Sequence, residues 1–192
     1  MTSDIHHYHD GSPLNRSETV KRQLERDAAR LFMRAYEQQQ GTPMRNIWHN
    51  EPAKPDISCH LNGQPLDLEV AHLYASVSEA KLLTAAITRQ VDNKPASHPC
   101  RKELELARYL DELLHINREQ RLQTALGHIL SRKAQKHYQS QRVWLVIRNA
   151  SPIWHADDFR RCVPSLRLQP HPFEQIWLLP DFAGQQPPLQ LF

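Results

Sequence analysis

The 192-residue chain is long enough for one domain with a single core, and its 40% hydrophobic and 23% charged content matches a soluble globular protein. No apolar run approaches the roughly 18 residues that span a bilayer, and the polar opening MTSDIHHYHDGSP lacks the apolar centre of a secretory signal. The formal charge of +3 allows a nucleic-acid partner without requiring one, and Cys59, Cys100 and Cys162, odd in number and scattered, argue for reduced thiols and a cytoplasmic home.

Residues 1–16 are polar and read as a flexible tail, with His6, His7 and His9 more plausible as a His-rich tail than as a metal site. A helix is expected from Ser17 to Gln39, capped by Ser17 or Asn15 and stopped by Gly41-Thr42-Pro43. Val20, Leu24, Leu31 and Ala35 recur at helical spacing as its buried stripe. Arg22, Arg26, Arg30 and Arg34 recur every four residues on another face, as a solvated basic surface or a ridge that tracks phosphates. Three strands follow: Arg45 to Asn50, Asp56 to Leu61 and Leu66 to Tyr74. Asn62-Gly63 is a strong hairpin signal between the last two. In the third strand Leu66, Leu68, Val70 and His72 face one way, and Asp67, Glu69, Ala71 and Leu73 the other.

Ser76-Val77-Ser78-Glu79 has the pattern of a capping box and opens a helix to about Asp92. Asn93 to Cys100 reads as a loop. Arg101 to Ile116 reads as a helix with Leu106, Leu110 and Leu113 on one side, and Glu119 to Tyr138 as another helix capped by Asn117. RVWLVIRN, residues 142–149, is nearly unbroken apolar strand and belongs at the centre of a sheet. A short helix, Ala156 to Cys162, and a last strand, Phe173 to Leu179, precede a Pro-rich tail over 183–192. The pattern is α/β, a mixed sheet with helices packed on it. Trp48, Trp144, Trp154 and Trp177 are expected to anchor the core.

Carboxylates at the ends of neighbouring strands suggest metal-dependent phosphodiester hydrolysis. That chemistry needs oxygen ligands for a hard cation such as Mg²⁺, and a further cationic group to orient water or offset developing charge. Asp56 and Glu69 lie equally far from the Asn62-Gly63 turn, so they should stand level across the hairpin. Lys133 follows Leu122, Leu126 and Ile129 on one helical stripe and should face the sheet, either snorkelling or reaching the carboxylates. Lys136 is less central. Glu25, on the helical face of Phe32 and Tyr36, is a candidate from the first helix, with Glu18 as a weaker rival. Cys59-His60 and His98-Pro99-Cys100 lack the spacing of a strong zinc motif, and Cys59 reads better as a small core residue. No glycine-rich phosphate loop is present.

Pro55-Asp56, followed by Glu69-Val70-Ala71, resembles the PD-(D/E)xK nuclease superfamily, also called restriction-endonuclease-like. The resemblance covers about residues 17–149. It implies a core order αβββαβ, here with inserted helices and a C-terminal αβ, and a nuclease-like domain over 17–182. It places the metal-binding acids at Asp56 and Glu69. Its Lys would fall at Ala71, so the Lys would have migrated to Lys133 on the following core helix, as in some members; the acid of the first helix maps to Glu25. The implied function is that of a Mg²⁺- or Mn²⁺-dependent endonuclease acting on DNA, with Arg22, Arg26, Arg132 and Lys136 on the backbone phosphates. A homodimer would suit cleavage of both strands. The alternatives are an inactive module of that fold that binds nucleic acid or a protein partner, and a small zinc-supported structural protein.

Overall fold

The structure, a computed structural model, describes residues 16–50, 55–92, 104, 106–111, 113 and 117–192, with side chains for all but residues 16, 17 and 87–92 of these. The expected loop over Asn93 to Cys100 and the N-terminal histidines lie outside the described residues. In chain order the elements are α1 (Arg16–Gln40), β1 (Met44–His49), β2 (Ile57–Leu61), β3 (Gln64–Leu73), α2 (Val77–Asp92), α3 (Arg118–Ala134), β4 (Val143–Asn149), α4 (Ala156–Cys162), β5 (Gln175–Leu179) and β6 (Leu189–Gln190). Residues 106–111 are also helical. Among the described residues no helix is long and apolar enough to cross a membrane.

The protein is a mixed α/β structure around one six-stranded sheet in the order β1-β2-β3-β4-β5-β6. β1, β2 and β3 pair antiparallel; β3, β4 and β5 pair parallel; β6 runs antiparallel to β5. The hairpin register follows from local chemistry. Asn62 and Gly63 both have positive φ, 47° and 77°, the geometry of the two-residue turn that joins twisted antiparallel strands. The turn sets Leu61 opposite Gln64 and Ile57 opposite Leu68.

Alternation along β3 gives each face of the sheet its own core. Leu66, Leu68 and Val70 join Phe32 and Tyr36 of α1, together with Trp144 and Trp177. Those four rings pack with centroids 5.3–6.3 Å apart. Ala71 and Leu73 face the other way, with Leu122, Leu126 and Ile129 of α3 and Phe159 of α4. β4 lies between both layers and is buried along its whole length.

Four expectations are corrected. The buried stripe of α1 centres on Ala28, Ala29, Phe32 and Tyr36, while Leu24 and Leu31 are only half-buried, because the helix turns its aromatic side toward the two sheet tryptophans. α3 stops at Ala134 rather than Tyr138, so Lys136, His137 and Tyr138 lie in the coil leading into β4. Trp48 is 44% exposed, since β1 is an edge strand with a bulge between Arg45 and Trp48. The C-terminal residues are not a loose tail. β6 pairs with β5, and Leu189 and Leu191 pack onto the α3-side core. Within the helical residues 106–111, Leu106 and Leu110 are exposed.

Candidate active site

The hairpin positions the first two carboxylates. Asp56 and Glu69 occupy the register step beyond the Ile57–Leu68 pair, as their equal distance from the turn requires. There β2 and β3 part. Asp56 turns its carboxylate onto the bare edge of β3, where the Val70 N–H donates to Oδ2 at 2.8 Å. A side chain thus takes the place of the missing strand partner. Glu69 is 1% exposed and lies on the α3 face. Asp67, its neighbour on that face, is not part of the cluster, because the hydroxyls of Ser58 and Ser140 occupy its carboxylate.

The third group comes from α3. Asn117 caps the helix through Oδ1, which accepts the Glu119 N–H at 2.8 Å, and Leu122, Leu126 and Ile129 fasten it to the sheet. Lys133, 7% exposed, continues that stripe inward. Its Nζ donates to Glu69 Oε1 at 2.5 Å and to the Val70 carbonyl at 2.9 Å. Lys136, arriving from the coil past the helix end, donates to the same Glu69 oxygen at 2.8 Å. The nuclease resemblance implies a phosphate contact for Lys136; past the early end of α3 its amine meets the Glu69 carboxylate instead.

Glu25 enters from α1 and is 7% exposed, with Lys21 Nζ at 3.5 Å. Burial raises its carboxyl to about 7; the Asp56 charge adds to the shift, and Lys21 and Lys133 oppose it. Asp56 is also raised, first by burial and then by Glu69. Three carboxylates, the buried Lys133 amine and the exposed Lys136 amine therefore meet near the edge where β2 leaves β3. Tyr138 had no role in the sequence reading. Its hydroxyl is buried, and its ionisation is opposed first by burial and then by the charges of Glu69 and Asp56. The only sequence signal for it is its place just after Lys136 and ahead of β4.

The other expected contacts are spread more widely. Arg22 and Arg26 on α1, half-buried, line a cavity of about 270 Å³ with Trp48 and His49, and the Arg22 carbonyl is 2.7 Å from His49 Nε2. Arg132 is exposed on α3 and borders a different cavity. Glu18 is half-buried near the start of α1.

Among the described residues no group of three or more His, Cys, Asp or Glu side chains is assembled as a metal cage. Cys59 is a poor zinc ligand: it is fully buried in the α1-side core, and burial, then Asp67, push its thiol up to about 12. Mg²⁺ asks for less. It is commonly held by one or two carboxylates, with water and substrate phosphate completing the shell. Asp56 and Glu69 would offer two hard oxygen donors; burial first and the Glu69 charge second raise Asp56, and a cation would relieve the second of these. No protein-family model, no curated protein and no solved structure matches the chain.

Proposed function

We propose that the chain is a Mg²⁺- or Mn²⁺-dependent phosphodiester hydrolase acting on DNA, built on a restriction-endonuclease-like core. The observation that carries the reading is the Lys133 amine, 2.5 Å from Glu69, brought from a helix 64 residues away to a carboxylate level with Asp56 across the hairpin. The element order adds support: one helix, three strands in two hairpins, then a helix and a parallel strand, with further helices between.

Asp56 and Glu69 would hold the cation. When bound, it would polarise a phosphoryl oxygen and acidify a water. Lys133 is fixed by the Val70 carbonyl as well as by Glu69, so its donor is already oriented, and its charge offsets charge that develops on phosphate. Glu25, with its carboxyl near 7, is suited to accept a proton at neutral pH. Tyr138, whose ionisation burial and the Glu69 and Asp56 charges oppose, keeps an un-ionised hydroxyl. Arg22, Arg26 and the exposed Trp48 offer a basic and aromatic surface for a DNA backbone.

The test is nicking of supercoiled plasmid. The wild-type chain should nick with Mg²⁺ or Mn²⁺ and stop in chelator. Asp56→Ala, Glu69→Ala and Lys133→Ala should each lose at least about 100-fold, the scale of a positioned charged group in catalysis. Undiminished nicking by Glu69→Ala would remove the assignment.

A second reading has its own support. Glu69 Oε1 already accepts from two amines, and Ala71 stands where the motif Lys would be. Such a site suits an inactive module that binds nucleic acid. DNA binding insensitive to chelator, with no nicking under any divalent cation, would favour it.

A further inference from the structure

Beyond Glu69, no strand among the described residues pairs with β3 on the β2 side, and a cavity of about 550 Å³ opens along that edge between α2 and α3. It adjoins the carboxylate–lysine cluster through α3, whose Ile129 and Arg132 line it while Lys133 points into the cluster. Its walls are largely apolar: Ala75, Val77, Ala80, Ala125 and Ile129. Tyr74 adds an aromatic face, stacked on His72 with ring planes 28° apart.

One polar group there is unexplained. Arg121 is 5% exposed, and among the described residues its Nη2 is buried without an acceptor, while Nη1 makes a long contact of 3.5 Å to the Ala75 carbonyl. A buried guanidinium that leaves a donor unmet is costly unless something supplies an acceptor. The nearby Glu79 does not; its carboxylate accepts from the Ala75 N–H, Ser151 and Tyr109. His72 Nε2 is likewise buried without a partner. No described residue lining the cavity is acidic, and Arg132 and His128 stand exposed at its rim. The cavity thus combines apolar walls, a lining guanidinium with one sealed donor unmet, and a cationic mouth. A nucleotide complements all three: a planar base, an acceptor edge and a phosphate.

We propose that this cavity binds a single nucleotide of the substrate strand beside the carboxylate–lysine cluster, with the base between the apolar walls, an acceptor on its edge meeting Arg121, and the phosphate at Arg132 and His128. The proposal rests on the hydrolase reading for the identity of the strand, but nucleotide binding can be measured without cleavage. A base taken out of its stack is costly for duplex DNA and cheap for a single strand, so the cavity also favours unpaired or distorted DNA.

The experiment is calorimetric titration of the full chain with dGMP, deoxyribose 5-phosphate and inorganic phosphate, in chelator. dGMP should bind at least tenfold tighter than deoxyribose 5-phosphate, and Arg121→Gln should weaken dGMP by tenfold or more. Ala80→Leu, which narrows the cavity without removing a charge, should weaken dGMP while leaving phosphate unchanged. It serves as the second variant should Arg121→Gln fail to fold. Equal affinity for all three ligands, or dGMP binding indifferent to both Arg121→Gln and Ala80→Leu, would overturn the inference. Mg²⁺-dependent nicking without dGMP binding removes the cavity assignment alone; dGMP binding without nicking under any divalent cation removes the hydrolase reading alone.

Discussion

Glu25 is a carboxyl that the fold prefers to keep protonated. Its folded value, about 7, lies above the ordinary 4.5 because burial and the Asp56 charge both oppose ionisation. Below about pH 4.5 the folded and unfolded chains both carry the proton, so the residue does not affect stability. As pH rises through that point the unfolded chain ionises first, and stability falls until about pH 7, where the folded chain ionises too. Glu25→Gln should therefore match the wild type in melting temperature near pH 4 and exceed it at pH 8; a constant difference across that window would show that the shift is absent. Lys133 presents the reverse problem. With Lys133→Met, the buried Glu69 keeps only the half-exposed Lys136. Breaking a buried pair costs about 3–5 kcal/mol, and the remaining amine places this change near the low end. Urea denaturation should show a loss of about 3 kcal/mol, much of it recovered in Lys133→Met with Glu69→Gln.

At the scale of elements, the legible parts were those settled over a few residues. The Asn62-Gly63 turn fixes the hairpin register, and the register puts Asp56 level with Glu69. Ser76 Oγ accepts the Glu79 N–H at 3.0 Å and α2 starts where the capping pattern says. α4 spans the residues expected of it. Elements whose partners are distant in sequence were misread. Residues Gln135 to Tyr138 carry no strong helix stop, so the sequence pattern runs the helix past Ala134, whereas Lys136 leaves the helical path and its amine meets Glu69. β6 was read as a tail because Pro187 and Pro188 mark a loop, whereas the open edge of β5 gives Leu189 and Leu191 a place to pair and pack. Ile176 N–H donates to the Phe192 carbonyl at 3.0 Å, and Leu191 N–H to the Ile176 carbonyl at 2.8 Å. Deleting residues 187–192 should cost about 3 kcal/mol from two partly buried leucines and the lost pairing. It should also bare the β5 edge, so light scattering should show self-association that the full chain lacks.

Across the whole molecule, charge decides how a polyanion would be met. The formal charge is only +3, so DNA affinity would depend on a few placed cations rather than on bulk attraction. Arg22 and Arg26 flank the exposed Trp48, and Arg132 stands at the nucleotide-sized cavity. With about three phosphate contacts, the log–log salt dependence of duplex binding should have a slope near −3, and Arg22→Ala with Arg26→Ala should reduce its magnitude by about two. A slope unchanged in the double variant would place the DNA elsewhere.

The sequence alone determined the strand alternation, the hairpin register, the buried central strand and the inward face of α3, because each follows from a period or turn that repeats within a few residues. It marked Lys133 as inward-facing but left open whether that amine snorkels or meets a carboxylate. Only the packing of α3 across the sheet decided that, by bringing Lys133 to Glu69 and leaving Arg121 buried with a donor unmet. Helix periodicity sets which side of a helix is buried. Where along a strand that side lands depends on the shape of two cores on opposite faces of one sheet, and no local stretch of chain encodes it.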